Sequence, residues 1–264
     1  MKARRLRIPV SYPYRNVFDV VSGRDQMLAG EDHGHYLGVG LSALANISLA
    51  LKTCGLPTPE SILDLPCGHG RVSRALKAAF PESALYVSDI DQDCVEFCAD
   101  AFGAHGLSSH AEFSSLAFGR QFDLIWVGSL VTHLPAGAIA AFFEFVLRHL
   151  TERGVAVVSL HGPYVAGRIV TSLLQGGEAY GVDNAAGWRM AESYFQTGFG
   201  YADYPGADLD VQHYGVSLAS PRWTLKVVRR CSGAIVSYQE HAWDRHHDVV
   251  AFTRSRPPSG RPGE

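Results

Sequence analysis

The stretch 61–76, SILDLPCGHGRVSRAL, constrains the fold more than any other part of the chain. Ile62, Leu63 and Leu65 form a short apolar run around a carboxylate, Asp64, and Gly68 and Gly70 follow it. Val72, Ala75, Leu76, Ala79 and Phe80 then fall at i, i+3, i+4, i+7 and i+8, one face of a helical period. Strand, glycine turn and helix make up the unit through which a doubly wound parallel sheet offers backbone N–H groups and a helix N-terminus to a ligand. A dinucleotide pyrophosphate suits this version poorly. The acid at 64 would repel it, and Ser73 takes the place of the third glycine of that fingerprint.

Composition narrows the class. A chain of 264 residues with 47% apolar content has ample material for an α/β core. A formal charge of −3 supplies no general field for a polyanion, so no nucleic-acid partner is expected. Lys2, Arg4, Arg5 and Arg7 read as a solvated, mobile end rather than a binding arm. Five cysteines without finger-like spacing suit a reduced, cytoplasmic setting, and Cys94 and Cys98 share a helix face with Val95, Ala99 and Phe102 as a buried pair. No apolar run approaches the roughly 20 residues of a membrane span, so no membrane partner is expected.

Further along, Leu37, Leu41, Leu44, Ile47 and Leu51 mark a helix from Tyr36 to a stop near Gly55. Leu85–Ser88 reads as a second strand that ends on Asp89, about 20 residues past the glycine turn, where a carboxylate can accept two hydrogen bonds from a ribose diol. Asp91 caps the next helix and, with Asp93, is the rival for that role. A third strand is expected around Ala111–Phe113, and Phe122–Val127 is a buried fourth. Ile139, Phe142, Phe143, Val146, Leu147 and Leu150 keep a helical period, with 152–154 closing it. Val155–Leu160, with no polar face, is a central parallel strand. A helix over 164–174 follows, and then the pattern breaks. Within 175–219, the stretches 198–203 and 213–218 read as an inserted hairpin around a Pro-Gly turn. Ser220 caps a helix that starts on Pro221; 234–238 and 249–253 make an antiparallel edge pair, and the tail 256–264 reads as disordered.

The first motif, the acid at 89 and FDLI followed by H-L-P (133–135) together resemble the class I S-adenosylmethionine-dependent methyltransferases, in the flavour of the bacterial small-molecule, type-11/12-like group. One glycine of the family's acid-x-G-x-G-x-G pattern is replaced here by Pro66. The resemblance implies a Rossmann-like seven-stranded sheet, order 3-2-1-4-5-7-6 with the last strand antiparallel. It implies one domain over 1–255, with cap helices over 1–56 and a lid over 175–219. The implied cofactor is S-adenosyl-L-methionine, whose ammonium and sulfonium suit the acid at 64. Its expected contacts are Tyr36 at the methionine end, the motif residues Asp64, Pro66, Cys67, Gly68, Gly70 and Arg71, and Asp89 and Ile90. Ser115 and Leu116 stand where the adenine is read, and Gly128 and Ser129 allow close approach to the methyl. Gly70 is expected to face the ligand.

Two of the twelve histidines, His133 and His161, follow the fourth and fifth strands and are the candidate proton acceptors; a helix-start cap and a backbone hydrogen bond are their bland alternatives. Adjacent His246 and His247 cannot both face one way on a strand, and no carboxylates join them at ligand spacing, so no metal is expected. Tyr164, Phe195, Tyr201, Tyr204 and Tyr214 are the candidate walls for a small-molecule acceptor. An oligomer contact, such as a homodimer, is the alternative use of the same aromatics. The expected reaction is in-line methyl transfer to an oxygen or nitrogen of a small molecule. Donor cyclisation or rearrangement releasing methylthioadenosine, and a non-catalytic subunit, are the alternatives; the intact Asp64, Gly68, Gly70 and Asp89 speak against the last.

Overall fold

The structure is a computed structural model that describes residues 3–28, 32–206 and 213–255. Lys2, the far side of the inserted hairpin's turn and the expected tail 256–264 lie outside the described residues.

The glycine turn joins β3 (Ser61–Asp64) to α2 (Ser73–Ala79), at the centre of a seven-stranded sheet. β3 pairs in parallel with β4 (Ala84–Asp89) on one side and β6 (Phe122–Val127) on the other. β5 (His105–Ser108) extends the sheet beyond β4, and β7 (Leu150–Leu160) extends it beyond β6. β11 (His247–Arg254) runs antiparallel to both β7 and β10 (Gly233–Trp243), and β10 is the edge. Counted within this sheet the order is 3-2-1-4-5-7-6, as the resemblance implies.

Alternation along β3 explains its central place: Ile62 joins the apolar cluster on one face and Leu63 the cluster on the other. On the first face lie α1 (His33–Thr53), α2 and α3 (Gln92–Phe102); on the second lie α4 (Ala136–His149) and α7 (Pro221–Arg230). By length and composition alone α1 could cross a membrane, a correction to the sequence expectation. Tyr36, Val39, Ala43 and Ile47 are buried, and α1 packs against α2 and β10.

Four further expectations are corrected. The third strand is His105–Ser108, not 111–113; it is a largely exposed edge strand, so no apolar run marks it. β7 starts at Leu150, so 152–154 belong to a strand rather than to a helix end. The N-terminal cap contains one helix, preceded by a two-stranded ladder of β1 (Arg4–Arg5) and β2 (Val20–Val21). The insertion holds more than a hairpin: α5 (Pro163–Leu174) is followed by α6 (Asn184–Thr197) before β8 (Phe199–Asp203) and β9 (Gly215–Ala219). Val165, Ile169, Met190, Tyr194, Val216 and Leu218 give this region its own apolar core.

Candidate active site

A cavity of about 1030 Å³ opens at the C-terminal tips of β3, β4 and β5, the edge where open α/β sheets collect ligands. Its floor is the motif turn. Leu65 N–H donates to Trp126 O at 3.0 Å and Cys67 N–H to Ser88 O at 3.0 Å, which stitches the turn to the two neighbouring strands. Gly68 takes φ +47° and has open space where a side chain would be, so the backbone there faces the cavity bare. Asp89 stands beside it: one carboxylate oxygen accepts from Gly68 N–H at 2.9 Å, the other from Asp91 N–H at 3.1 Å. A carboxylate offers about four lone-pair sites, so acceptor capacity remains toward the cavity. Burial raises the Asp89 carboxyl, while these backbone bonds pull it down. Ile90, 54% exposed despite its apolar side chain, is the next residue on the wall. Pro66 and Tyr214 also line the cavity.

Other motif residues serve the turn from beneath. Asp64 is buried and accepts the Ser73 Oγ–H at 2.5 Å. Burial holds its carboxyl at about 7, above the usual range for an acid. Cys67 is a buried thiol pushed up by its Cys98 partner and by desolvation. At Gly70, φ +78°, an added Cβ would meet Phe102 Cε2 at 2.3 Å. The expectation that Gly70 faces the ligand is therefore corrected: its missing side chain makes room for α3, not for the cavity's occupant.

Tyr36 is also corrected. It is fully buried, off the cavity wall, and its hydroxyl donates to Asp25 Oδ2 at 2.6 Å. Arg74, buried on α2, donates to Phe18 O at 2.6 Å and Val20 O at 3.1 Å and lies 3.4 Å from the same hydroxyl. Together they hold the N-terminal segment, whose residues Gly23–Leu28 form part of the cavity wall. Arg4 donates to the carbonyls of Asp25 and Leu28, at 2.5 and 3.1 Å, and itself lines the cavity, so it is no free basic end. Arg71 is half-buried off the wall, its guanidinium lowered by burial and facing Tyr36, Asp25 and Asp244. The adenine positions move as well. Ser115 is exposed and donates to Glu112 O, and Leu116 is core; the wall is formed instead by Ser109, His110, Ala111 and Phe113, because β5 ends earlier than expected.

The Gly128–Ser129 turn does not back onto the cavity. A Cβ at Gly128 would meet Trp243 at 3.0 Å, and Ser129 N–H donates to Ser159 Oγ at 2.8 Å. Beyond it the candidate catalytic and acceptor residues separate into two groups. His133 Nδ1 lies 2.8 Å from Gly215 O, which assigns the proton to Nδ1 and leaves Nε2 as acceptor. Its ring stacks on Tyr214 at 4.8 Å and lies 6.0 Å from Tyr204, and burial lowers its pKa. Leu130, Leu134 and Ala138, around it in sequence, line the cavity. His161 belongs to the other group. It is buried against His246, His247 and Tyr180, and the Tyr164 ring lies tilted against His241, 3.9 Å between centroids, above the same edge. Tyr201 spends its hydroxyl on Asp203 at 2.7 Å. Phe195 points outward from α6, 68% exposed, and is removed from the acceptor wall.

The expected divergence of His246 and His247 is overturned. Asp244 and Arg245 both take positive φ, so the chain turns sharply there and the two rings converge on His161. Sequence reasoning missed the N-terminal strap and 109–113 for want of any period. It missed α6 despite a usable signal, Gly187, Met190, Ala191 and Tyr194 at i, i+3, i+4 and i+7 behind the cap Asp183.

Residues 62–154 match the family described as a methyltransferase domain. No curated protein sequence matches the chain. Among solved structures, an S-adenosylmethionine-dependent methyltransferase from Clostridium acetobutylicum superposes with TM-score 0.56 at 15% identity, covering 82% of this chain and 92% of that one. The 1,6-didemethyltoxoflavin-N1-methyltransferase of Burkholderia thailandensis, solved with its substrate and S-adenosylhomocysteine, gives 0.52 at 12% identity, covering 86% and 80%. A structure described as a pericyclic reaction enzyme gives 0.50 at 9% identity, covering 78% and 47%.

Proposed function

We propose that this chain, whose residues 62–154 match a methyltransferase domain on a fold shared with S-adenosylmethionine-dependent methyltransferases, is a class I enzyme of that kind and methylates an oxygen or nitrogen of a small molecule. The observation that carries the reading is the bare Gly68 backbone beside Asp89 on the wall of one large cavity. The fit to the cofactor is chemical. Asp89 has acceptor capacity for a ribose diol, Ile90 and Phe113 offer apolar faces to a base, and Gly68 lets the ligand approach the main chain. When bound, S-adenosylmethionine supplies an activated methyl on a sulfonium.

The chain's own work is then mostly alignment, which can supply much of the acceleration of a group transfer. Asp64, close to neutral balance at pH 7, can adjust its charge to a cation above the turn. His133, held by Gly215 O and stacked on the cavity-lining Tyr214, presents a neutral Nε2 as the base for an acceptor proton. Tyr204 and Tyr214 shape the acceptor side, with β8 and β9 as the lid.

The test is incubation with labelled cofactor and a metabolite extract. A product heavier by ~14 Da together with S-adenosylhomocysteine is the expected outcome. Release of methylthioadenosine would instead select donor cyclisation or rearrangement. The resemblance to a pericyclic reaction enzyme makes non-methyl chemistry the second reading to measure. For the base, His133→Gln should lower kcat by roughly 10²–10⁴-fold, and an unchanged kcat would remove His133 from that role.

A further inference from the structure

We propose that His161, His246 and His247 bind one divalent transition-metal ion, Zn²⁺ by the chemistry of the donor set, at a site separate from the cofactor cavity. The three residues each present a ring nitrogen, and these nitrogens lie within 4.8 Å of one another. None of the three lines the cavity.

Each side chain comes from a different constraint on the fold. His161 follows the tip of β7, His247 opens β11 beside it, and His246 is brought in by the turn at Asp244 and Arg245. The rings are separated by 4.8 Å (His161–His247), 5.7 Å (His161–His246) and 5.0 Å (His246–His247). His161 is 5% exposed, and its Nδ1 is buried without any hydrogen-bond partner. An unpaired buried polar atom is costly, and a metal ion is the partner that would relieve it.

The charge state suits an ion. Burial lowers all three imidazoles from their ordinary pKa, His161 and His247 most, which disfavours the protonated form that would compete with a metal. Each of the two later rings is also steadied from outside. His247 Nδ1 lies 3.3 Å from Ser159 Oγ, and His246 Nε2 lies 3.3 Å from the Tyr180 hydroxyl. Outer contacts of this kind orient metal-binding imidazoles.

Three neutral nitrogens with no carboxylate oxygen among them select a borderline ion over Mg²⁺ or Ca²⁺. Zn–N bonds of about 2.0–2.1 Å set tetrahedral nitrogens about 3.4 Å apart, so closing the site takes a ring movement of about 1.4 Å at most. Three protein ligands leave a fourth position open. Asp244 faces His246, while Arg168 and Arg71 are the cations facing His246 and His247. Two cations against one carboxylate favour an anionic fourth ligand, such as hydroxide.

The experiment uses the full chain, stripped with a chelator and titrated with CoCl₂ and then ZnCl₂. One equivalent of Co²⁺ should bind with the intense visible bands of a low-coordinate ion, and one equivalent of Zn²⁺ should abolish them. His246→Ala and His247→Ala should each weaken Zn²⁺ binding by roughly 100-fold or more. S-adenosylhomocysteine affinity should stay unchanged in both, which reports that the variants are folded. Absence of the bands, or Zn²⁺ affinity that survives in both variants, overturns the site. Pulsed electron paramagnetic resonance of the Cu²⁺-loaded wild-type protein needs no variant: three imidazole nitrogens are expected, and fewer overturn the proposal.

Discussion

At the tips of β3 and β4 the wall is backbone and carboxylate, Gly68 N–H and Asp89; at the tips of β7 and β11, farther along the same sheet, it is imidazole and phenol. The first region is stitched by short-range hydrogen bonds of the motif to its neighbouring strands and opens into a large cavity. The second is assembled from β7, the α5–α6 insertion and a turn between β10 and β11, and it is largely closed. One region is built for a ligand that brings its own polar groups. The other gathers side chains whose polar atoms want a partner, as the orphaned His161 Nδ1 shows. The lesson is that a sheet edge carries two chemistries when its strands are supplied by distant parts of the chain.

The largest expected effect separates framework from ligand contact inside the first region. Gly70→Val places bulk against Phe102 at a positive φ, and overpacking plus backbone strain should cost about 3 kcal/mol or more of stability. Urea unfolding with a wild-type midpoint would contradict this and return Gly70 to the ligand face. Gly68→Ala, with open space around it, should by contrast cost cofactor affinity more than stability.

Next in size is Asp89→Ala, with a loss of about 1.5–3 kcal/mol in S-adenosylhomocysteine affinity, the range for hydrogen bonds to a charged group. Calorimetry showing no change would transfer the ribose contact to Asp91. Asp64 gives an effect of similar size whose sign follows from its raised pKa. The buried acid holds its proton more tightly folded than unfolded, so its stabilising contribution is full below about 4 and is lost as pH rises through about 7. Asp64→Asn should therefore gain on wild type between pH 5 and pH 8 by roughly 2–3 kcal/mol, about two pH units at ~1.4 kcal/mol each. Thermal unfolding at the two pH values checks it, and parallel curves would sink it.

The smallest effect tests the outer skin of the second region. Phe195→Ala should leave stability within about 0.5 kcal/mol and turnover unchanged, since the ring is exposed on α6. A drop in molecular mass by light scattering would identify that surface as a subunit contact, whereas Tyr214→Ala should reduce turnover of the acceptor without altering mass.

The sequence by itself determined the central strands of the sheet and the placing of its first motif, while the exposed edge strand β5 escaped it. A run of Ile and Leu, two glycines and a 3.6-residue period are local patterns, and backbone sterics and burial act on them wherever they occur. The same holds for Asp89, legible because an acid directly follows an apolar strand, and for Ser220 with Pro221 as a helix start. Tertiary structure decided the rest. Whether a glycine faces ligand or helix depends on what packs opposite, and for Gly70 that is Phe102, 32 residues away. Tyr36 was legible as an important aromatic, but only the fold shows that its partner is Asp25 on the N-terminal strap. His161, His246 and His247 have no local pattern at all. They meet because β11 returns antiparallel beside β7 and a two-residue turn reverses the alternation that a strand would impose, and neither long-range pairing nor positive φ at Asp244 and Arg245 is written in the spacing of histidines.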